Sequence, residues 1–304
     1  MDSRVSPPST AASVRPRWQP AAVALAPGLF VLLWSTGFIG AKFGLPHAEP
    51  FTFLAVRLAL TALLLVAAAF LFGAPWPATR QQWARIAIAG ILIQGVYLGG
   101  VFFAIAQGLP AAIAALIVGL QPLLTAAAAG PVLKEKVTGR QWLGLALGFA
   151  GVVLVLFDKV SLSGAQAAGV VGALVGLVGI TAGTLYQKQH GSTMDLRSGT
   201  AIQFAASAAL LGAAAALFEN FRIEWAAPLV FAMAWLVLVL SFGAITLLYI
   251  LIRRGAAAKV ASLFYLVPPV TALLAYAFFG EVLGARALVG MAVTLIGVAL
   301  VQKR

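Results

Sequence analysis

The sequence contains no cysteine and only two histidines, and charged residues make up 9% of its 304 positions. Without cysteine, the chain has no disulfides, thiolate metal sites or cysteine nucleophiles. His47 and His190 are too few for a metal site built from histidine, so we expect no metal and no other cofactor. Soluble domains carry about 25% charged residues, and the low charge therefore excludes an ordinary soluble domain.

The residues that are abundant are apolar: the hydrophobic fraction is 62% and the mean hydropathy is +1.03. A helix needs about 20 mostly apolar residues to cross the hydrocarbon of a bilayer. Runs of about this length lie at 21–41, 50–72, 83–106, 110–131, 140–157, 166–187, 198–217, 228–252, 258–279 and 285–302. Because backbone groups in lipid must bond internally, we predict an all-α membrane protein of ten transmembrane helices.

Lysine and arginine are distributed unevenly between the predicted loops. If the N-terminus is cytoplasmic, fifteen of these residues face the cytoplasm, four face the outside and Arg57 lies within a helix. The positive-inside rule therefore predicts that both termini are cytoplasmic, and that the polar residues 1–20 form a disordered cytoplasmic tail. The same rule accounts for the net charge of +12. We expect no nucleic-acid partner, because no polar domain is available to carry a basic surface.

The chain repeats itself at an offset of 146 residues. Between 111–155 and 257–301, sixteen of forty-five positions are identical without a gap, and the same offset extends to the first helices. The matches include Pro122 with Pro268, Glu135 with Glu281, Gly144 with Gly290, Gly151 with Gly297, Gly37 with Gly183 and Lys42 with Lys188. We predict two repeats, 21–157 and 166–302. Five helices in each repeat would insert the second one inverted, which is typical of secondary transporters with a substrate site near the midplane.

Several short motifs resemble those of a known family. The first helix contains Leu33-Trp34-Ser35-Thr36-Gly37-Phe38 followed by Lys42, and the second contains Arg57-Leu58. A helix-loop-helix with Pro122, Glu135, Gly144 and Gly151 returns as Pro268, Glu281, Gly290 and Gly297. Over about 21–302, these motifs resemble the drug/metabolite transporter superfamily, specifically its ten-helix branch with paired EamA domains. The resemblance implies a transporter of small metabolites, often an exporter of amino acids, and aromatic amino-acid exporters belong to this branch.

The candidate cavity residues are deep polar or aromatic side chains, or lie in the motif of the first helix: Trp34, Phe38, Arg57, Gln94, Tyr97, Gln121, Gln203 and Tyr265. Arg57 has two open roles. It could bind a substrate carboxylate or form a gate contact, or it could have a structural role in which it snorkels outward or pairs with Glu49. Because an unpaired amide in hydrocarbon is unfavourable by several kcal/mol, Gln94 and Gln121 should bond to other helices or line the cavity. Such a cavity suits an amino acid with an aromatic or apolar side chain.

Other residues are expected to shape or close the helix bundle. We predict kinks and candidate hinges at Pro122, Pro268 and Pro269. The hydroxyls of Ser35, Thr36, Thr125 and Thr271 are expected to bond to nearby backbone. Gly144, Gly148 and Gly151 form a strip for close helix packing. Lys42 and Lys188 end equivalent helices on opposite faces, as interfacial anchors or as mouths that attract substrate.

The carboxylates all lie in the tail, in loops or at helix ends: Asp2, Glu49, Glu135, Asp158, Asp195, Glu219, Glu224 and Glu281. An intramembrane carboxylate is the usual device for proton coupling, so facilitated diffusion or exchange is favoured. We predict a secondary transporter or exporter of small metabolites, amino acids first, that works by alternating access. The alternatives are an exporter of other metabolites or drugs, a channel, or a membrane-embedded enzyme, for which we identify no catalytic residues. The expected setting is a bacterial inner membrane, with a small-molecule substrate, lipid contacts and a monomeric protein.

Overall fold

The computed structural model describes residues 20–133, 138–157, 164–190, 194–244, 247 and 263–302. Throughout these ranges the regular secondary structure is helical, apart from one isolated antiparallel bridge between Ala48 and Ile223. Six helices in the same ranges are long and apolar enough to cross a membrane. The prediction of an all-α protein with several membrane spans is therefore confirmed.

The helices up to residue 157 are α1 (Pro20–Gly44), α2 (Pro50–Leu71), α3 (Arg80–Ala106), α4 (Ala111–Val118 and Gln121–Leu133) and α5 (Gly139–Phe157). Those that follow are α6 (Gly164–His190), α7 (Leu196–Phe218), α8 (Ala227–Ala244), α9 (Val267–Phe279) and α10 (Ala285–Gln302). The apolar parts of α4, α5, α9 and α10 are shorter than the six candidate spans. Each segment coincides with one of the predicted hydrophobic runs, and the number of membrane crossings stays a prediction.

Local sequence signals explain where several helices begin and end. α2 begins at Pro50, which needs no backbone N–H in the first turn. α3 follows a capping box in which Thr79 and Gln82 each bond to the other's backbone N–H. Asp195 caps α7, and Gly280 ends α9 with a φ of 64°, a conformation that glycine adopts without strain. These caps fix the short connections that position the ends of the helices.

The Asp195→Ala variant is expected to lower the free energy of unfolding by about 1 kcal/mol, because the carboxylate accepts hydrogen bonds from the backbone N–H groups of Arg197 and Ser198. The hydrogen bond from the Arg197 side chain lowers the pKa of Asp195. This stabilisation is therefore present above the pKa of the unfolded chain and is lost as the pH falls through the lower folded pKa. Thermal unfolding in detergent at neutral pH measures the effect. Asp195→Asn keeps the cap, and an equal loss in that variant would contradict the capping role.

The two halves of the chain are interlocked. α1 packs against α8 and α9, whereas α6 packs against α3 and α4. α2 packs against α7, and α5 packs against α10. If α1–α5 are exchanged in order with α6–α10, the contact of α1 with α8 becomes that of α6 with α3, and the contact of α1 with α9 becomes that of α6 with α4. The contacts of α2 with α7 and of α5 with α10 stay the same. The helix packing thus has the pattern that a two-fold relation between the halves would produce.

The crossing of α5 and α10 shows this relation at atomic scale. A Cβ built on Gly151 would lie 2.5 Å from the carbonyl oxygen of Gly290, and one built on Gly297 would lie 2.6 Å from that of Gly144. Gly297 is the repeat counterpart of Gly151, and Gly144 is the repeat counterpart of Gly290, so the two contacts are equivalent. The glycines therefore let the two backbones touch, which confirms the expected packing role of the strip in α5.

α2 and α7 run antiparallel, and their ends are tied together. At one end, Glu219 after α7 accepts hydrogen bonds from the backbone N–H and hydroxyl of Thr52, both at 2.7 Å. At the other end, Ser198 in the first turn of α7 donates to the carbonyl oxygen of Pro75, after α2, at 2.6 Å. The segments that precede α2 and α7 consequently lie at opposite ends of the helix bundle.

Candidate functional site

Arg57 on α2 is buried within a candidate span, with an exposed fraction of 4%. Its guanidinium carbon lies 5.9 Å from the ring centroid of Phe102 on α3, and its charge is close enough to Tyr97 to interact with it. Its Nε has no hydrogen-bond partner, and no carboxylate of the described residues forms an ion pair with it. Because arginine stays protonated in proteins, Arg57 presents an uncompensated positive charge.

Both forms of the structural role considered for Arg57 are wrong. Glu49 does not pair with it, because its carboxylate accepts hydrogen bonds from the backbone N–H groups of Asn220 and Arg222 at 3.0 and 2.9 Å. Snorkelling to the membrane surface is incompatible with the burial of the side chain. The remaining expectations, contact with a substrate carboxylate or a gate contact, stay predictions.

α3 contains a segment of wide π-helical turns, Ile91–Val96, which ends one residue before Tyr97. Gln94 lies in this segment, half-buried, and makes no side-chain hydrogen bond in the part of the chain that the structure describes. α8 contains a second such segment, Trp235–Ala244, at the equivalent position of the other half. π-Helical turns are often found at functional sites. Sequence reasoning missed both segments, because nothing in these apolar runs distinguishes a π-helix from an α-helix.

The predicted hinge prolines lie directly after helix breaks. α4 is interrupted at Gly119 and Leu120, so Pro122 falls in the first turn of its second part. In α9, Pro268 and Pro269 likewise occupy the first turn, after a short 3-10 turn. At these positions a missing N–H breaks no hydrogen bond, so each proline begins a helical segment directly after a break, beside the position where a kink is predicted. The two breaks are neighbours, because a Cβ on Gly119 would lie 3.3 Å from Pro268 Cγ. The hinge function stays a prediction.

The threonines one turn beyond these breaks have unpaired hydroxyls. Ser35 and Thr36 donate to carbonyls three or four residues earlier, at 2.7 and 2.6 Å, as expected. The same expectation is wrong for Thr125 and Thr271, whose buried hydroxyls have no partner. The Ser35 hydroxyl also donates to the carbonyl oxygen of Val267 at 3.4 Å. This carbonyl lies four residues before Thr271, and a threonine hydroxyl in a helix would ordinarily donate to it. Equivalent positions of the two halves therefore hold buried polar groups that remain available for hydrogen bonding.

The aromatic candidates on α1 are packed against other side chains. Trp34 makes an edge-on contact with Phe264, with ring centroids 5.0 Å apart, and lies 5.5 Å from Phe30. Phe38 is buried in the main hydrophobic core together with Tyr97. The side chain of Tyr265 lies outside the described residues. In this conformation Trp34 therefore belongs to an aromatic cluster between α1 and the start of α9.

The two remaining candidates are amides that connect helices. Gln121 donates to the hydroxyl of Thr184 on α6 at 3.2 Å, and Gln203 on α7 donates to Gln187 on α6 at 3.3 Å. Gln203 also borders a pocket of about 10 Å³. A pocket of this size holds at most one water molecule, whereas ligand pockets usually measure about 300–1,000 Å³. Apart from Gln203, none of the predicted cavity residues whose side chains the structure describes borders this pocket.

A larger groove of about 580 Å³ lies between α2, α3 and α7, away from Arg57. It is lined by Val66, Phe70, Trp76, Trp83, Ala87, Ala201, Ile202, Ala205 and Ala206. None of the predicted cavity residues borders it, and its walls are almost entirely apolar. We therefore place the candidate substrate site at Arg57 and not in this groove.

Comparison with known proteins agrees with the two-part organisation of the chain. Residues 23–157 and 167–302 each match the model of the EamA-like transporter family. One solved crystal structure aligns with 93% of this chain and 98% of its own, at a TM-score of 0.63 and 20% sequence identity. That likeness shows that the overall fold is shared.

Curated relatives align over almost their whole length. The chain is 27% identical to the uncharacterized transporter YvbV of Bacillus subtilis, with 92% of each chain covered. It is 27% identical to the uncharacterized inner membrane transporter YedA of Escherichia coli K12, over 89% of this chain and 87% of the relative. It is 25% identical to a probable terminal-alkyne amino-acid exporter of Streptantibioticus cattleyicolor, over 91% of this chain and 92% of the relative.

Proposed function

Because the chain belongs to the EamA-like transporter family, we propose that it carries amino acids or related carboxylate-bearing metabolites across the membrane by alternating access. The membership confirms the predicted family, and with the inner-membrane relative and the apolar helices it confirms a multi-pass integral membrane protein. A small-molecule substrate follows from the family. The class of substrate and the mechanism belong to the proposal, as do the cytoplasmic termini and the monomeric state.

The observation that carries the proposal is the buried, unpaired charge of Arg57. Burying a charge without a partner is unfavourable by several kcal/mol. A buried, unpaired charge is therefore expected where a bound ligand supplies the opposite charge. A substrate carboxylate would supply the missing negative charge, and the guanidinium fork matches a carboxylate with two parallel hydrogen bonds. Phe102 and Tyr97 beside the guanidinium would contact an apolar or aromatic side chain of the same substrate.

A relative supports the same substrate class. The Streptantibioticus cattleyicolor protein is named a probable terminal-alkyne amino-acid exporter, and the alignment covers 91% of this chain and 92% of that protein. Every amino acid carries the carboxylate that Arg57 would bind, and several carry an apolar or aromatic side chain that Phe102 and Tyr97 would contact. We accordingly rank amino acids above other metabolites and drugs.

The geometry of the halves supports alternating access. The two-fold pattern of helix pairing supports two inverted repeats, and rocking of one half against the other would expose a central site to each side in turn. The helix breaks before Pro122 and Pro268 lie at equivalent positions, where movement of a half-helix disturbs few backbone hydrogen bonds. Neither the pocket beside Gln203 nor the apolar groove borders Arg57 in the described residues, as expected for a closed state of such a cycle.

The positions of the carboxylates support a facilitator or exchanger. Those within the described residues lie next to helix ends: Glu49, Asp195, Glu219, Glu224 and Glu281. A proton-coupled transporter usually has a titratable carboxylate inside the membrane. We therefore expect transport to follow the substrate gradient, and export to occur when the cytoplasmic concentration is higher.

Counterflow in proteoliposomes tests the proposal. Vesicles loaded with unlabelled amino acids should accumulate labelled aromatic or apolar amino acids, with saturation and without a pH gradient. Protein-free vesicles are the control for leakage, and non-saturating flux would indicate a channel. Absence of counterflow for every amino acid would make the substrate class wrong and turn attention to other metabolites or drugs. A strict requirement for the gradient would contradict the facilitator mechanism.

A further inference from the structure

The apolar groove between α2, α3 and α7 has no part in the proposed transport function. Its volume of about 580 Å³ lies within the range of about 300–1,000 Å³ that is usual for ligand pockets. The side chains that line it are apolar or aromatic, and α7 contributes mainly alanines, of which Ala205 is exposed. Because alanine side chains are short, the space between the three helices stays open. The groove therefore suits a slender, apolar ligand.

The groove lies close to the end of the bundle at which α2 ends and α3 and α7 begin. α2 ends one residue after the lining residue Phe70, and α3 begins three residues before Trp83. The lining residues of α7 run from Ala201 to Ala206, and the helix begins five residues before the first of them. At about 1.5 Å per residue, the groove extends from roughly 5 Å to roughly 15 Å below the helix ends. All three helices are candidate membrane spans, so this is the depth of the lipid acyl chains nearest the headgroups.

Two tryptophans form the rim of the groove. The indole rings of Trp76 and Trp83 are stacked, with centroids 5.9 Å apart and an angle of 8° between their planes. Trp76 also lies 5.3 Å from the ring centroid of Phe70, and Nε1 of Trp83 donates to the carbonyl oxygen of Pro77 at 3.0 Å. These contacts hold both indoles at the mouth. Because tryptophan is enriched at the level of the lipid headgroups, the mouth of the groove is expected at the membrane interface.

An arginine continues the lining face of each of the two helices that begin at the mouth. On α3, Arg80 lies three residues before Trp83, and on α7, Arg197 lies four residues before Ala201. Residues at these spacings share one face of a helix. Both arginines are therefore one turn closer to the membrane surface than the groove, on the faces that form its walls.

The mouth carries an excess of positive charge. Arg197 Nη1 donates to the carbonyl oxygen of Phe72, just after α2, at 3.0 Å, and its Nη2 donates to Asp195 at 3.2 Å. Arg80 is exposed, and no carboxylate of the described residues forms an ion pair with it. The segments 72–87 and 194–206 contain three arginines and a single carboxylate, Asp195. An anionic group at the mouth would balance this excess.

We propose that the groove binds one acyl chain of an anionic phospholipid, whose phosphate lies between Arg80 and Arg197. Under the predicted orientation this lipid belongs to the cytoplasmic leaflet, whose anionic lipids attract arginine and lysine near the surface. α2 and α3 belong to the first half of the chain and α7 to the second, so the lipid contacts both halves and stabilises their packing. The inference does not depend on which substrate is transported.

Lipid titration of the purified, delipidated full-length protein, followed by native mass spectrometry, tests the site. The probes are dioleoyl phosphatidylglycerol, dioleoyl phosphatidylcholine with the same chains, and glycerol phosphate without chains. One molecule of phosphatidylglycerol should bind at least about fivefold more tightly than phosphatidylcholine, because an arginine near the surface contributes about this factor. Phosphatidylglycerol should also raise the thermal unfolding temperature in detergent, whereas glycerol phosphate should not.

Two variants separate the headgroup contact from the chain contact. Arg80→Gln should weaken phosphatidylglycerol binding about fivefold and leave phosphatidylcholine binding unchanged. Ala205→Phe fills the groove and should weaken the binding of both lipids roughly tenfold, because it displaces buried methylene groups. The matched controls are Arg140→Gln, at the exposed start of α5, and Ala209→Phe, at an exposed position of α7 that does not border the groove. Both controls should bind lipid as the wild type does.

Three results would overturn the proposal. Equal affinities for the two phospholipids, with Arg80→Gln no weaker than Arg140→Gln, would show that the mouth does not bind the phosphate. Unchanged lipid binding by Ala205→Phe would show that the chain does not occupy the groove. Loss of a dimer in Ala205→Phe, with lipid binding intact, would identify a second copy of the protein as the occupant. Counterflow is a separate measurement, so failure of the proposed transport function would leave the lipid result standing.

Discussion

The Arg57→Gln variant is expected to bind substrate roughly 100-fold more weakly, while the substrate-free protein becomes more stable than the wild type. Removing one partner of a buried charge pair weakens binding by about 2–5 kcal/mol, and about 3 kcal/mol corresponds to this factor. Arg57 is 4% exposed and its charge is unpaired before substrate binds, so its loss relieves an unfavourable burial in the empty transporter. KM for counterflow and thermal unfolding in detergent measure the two effects.

The opposite signs of these effects distinguish a substrate-binding arginine from a structural one. A structural Arg57 would lose stability and transport together, and that result would contradict the proposal. Arg57→Lys keeps the charge and loses the planar fork, so an intermediate KM is expected. Arg140→Gln is the matched control, because Arg140 is exposed at the start of α5 and its removal should leave both measurements unchanged.

Much of the architecture could be predicted because the bilayer imposes simple rules on a sequence. Apolar runs of the required length identified the helices, since lipid satisfies no backbone hydrogen bonds. The repeat was visible because glycines such as Gly151 and Gly297 recur at a fixed offset, and their close backbone contacts tolerate no side chain. The length of the apolar runs and the glycines at close helix contacts could therefore be interpreted from the sequence alone.

The predictions that failed depend on distant parts of the chain. Glu49 lies close to Arg57 in sequence, but its carboxylate binds the backbone after α7, which no local pattern reveals. Thr271 was expected to bond to its own helix, yet Ser35 from α1 reaches the carbonyl that it would use. Such outcomes are set by how the halves interlock. The ion pair in which Lys42, at the end of α1, donates to Glu281, after α9, likewise joins the two halves. The repeat alone related Lys42 to Lys188 and Glu281 to Glu135, and it did not relate Lys42 to Glu281.

The Gly151→Ala variant is expected to lower the free energy of unfolding by about 3 kcal/mol, at the upper end of the range for overpacked cores. The Cβ that alanine adds at position 151 would lie 2.3 Å from the hydroxyl oxygen of Thr294 and 2.5 Å from the carbonyl oxygen of Gly290. A backbone carbonyl cannot rotate away as a flexible side chain does, so α5 and α10 would have to separate. The shift in thermal unfolding temperature in detergent measures the effect.

Gly212→Ala is the matched control, because nothing lies within 4 Å of the Cβ that it would add to α7. Alanine stabilises a helix by up to about 1 kcal/mol relative to glycine, so this variant should be as stable as the wild type or more stable. Equal losses at Gly151 and Gly212 would contradict the close crossing of α5 and α10. Gly290→Ala should resemble Gly151→Ala, and combining them should cost less than the sum, because one separation of the helices relieves both clashes. An additive double variant would mean that the two glycines act at independent contacts, which the two-fold crossing does not allow.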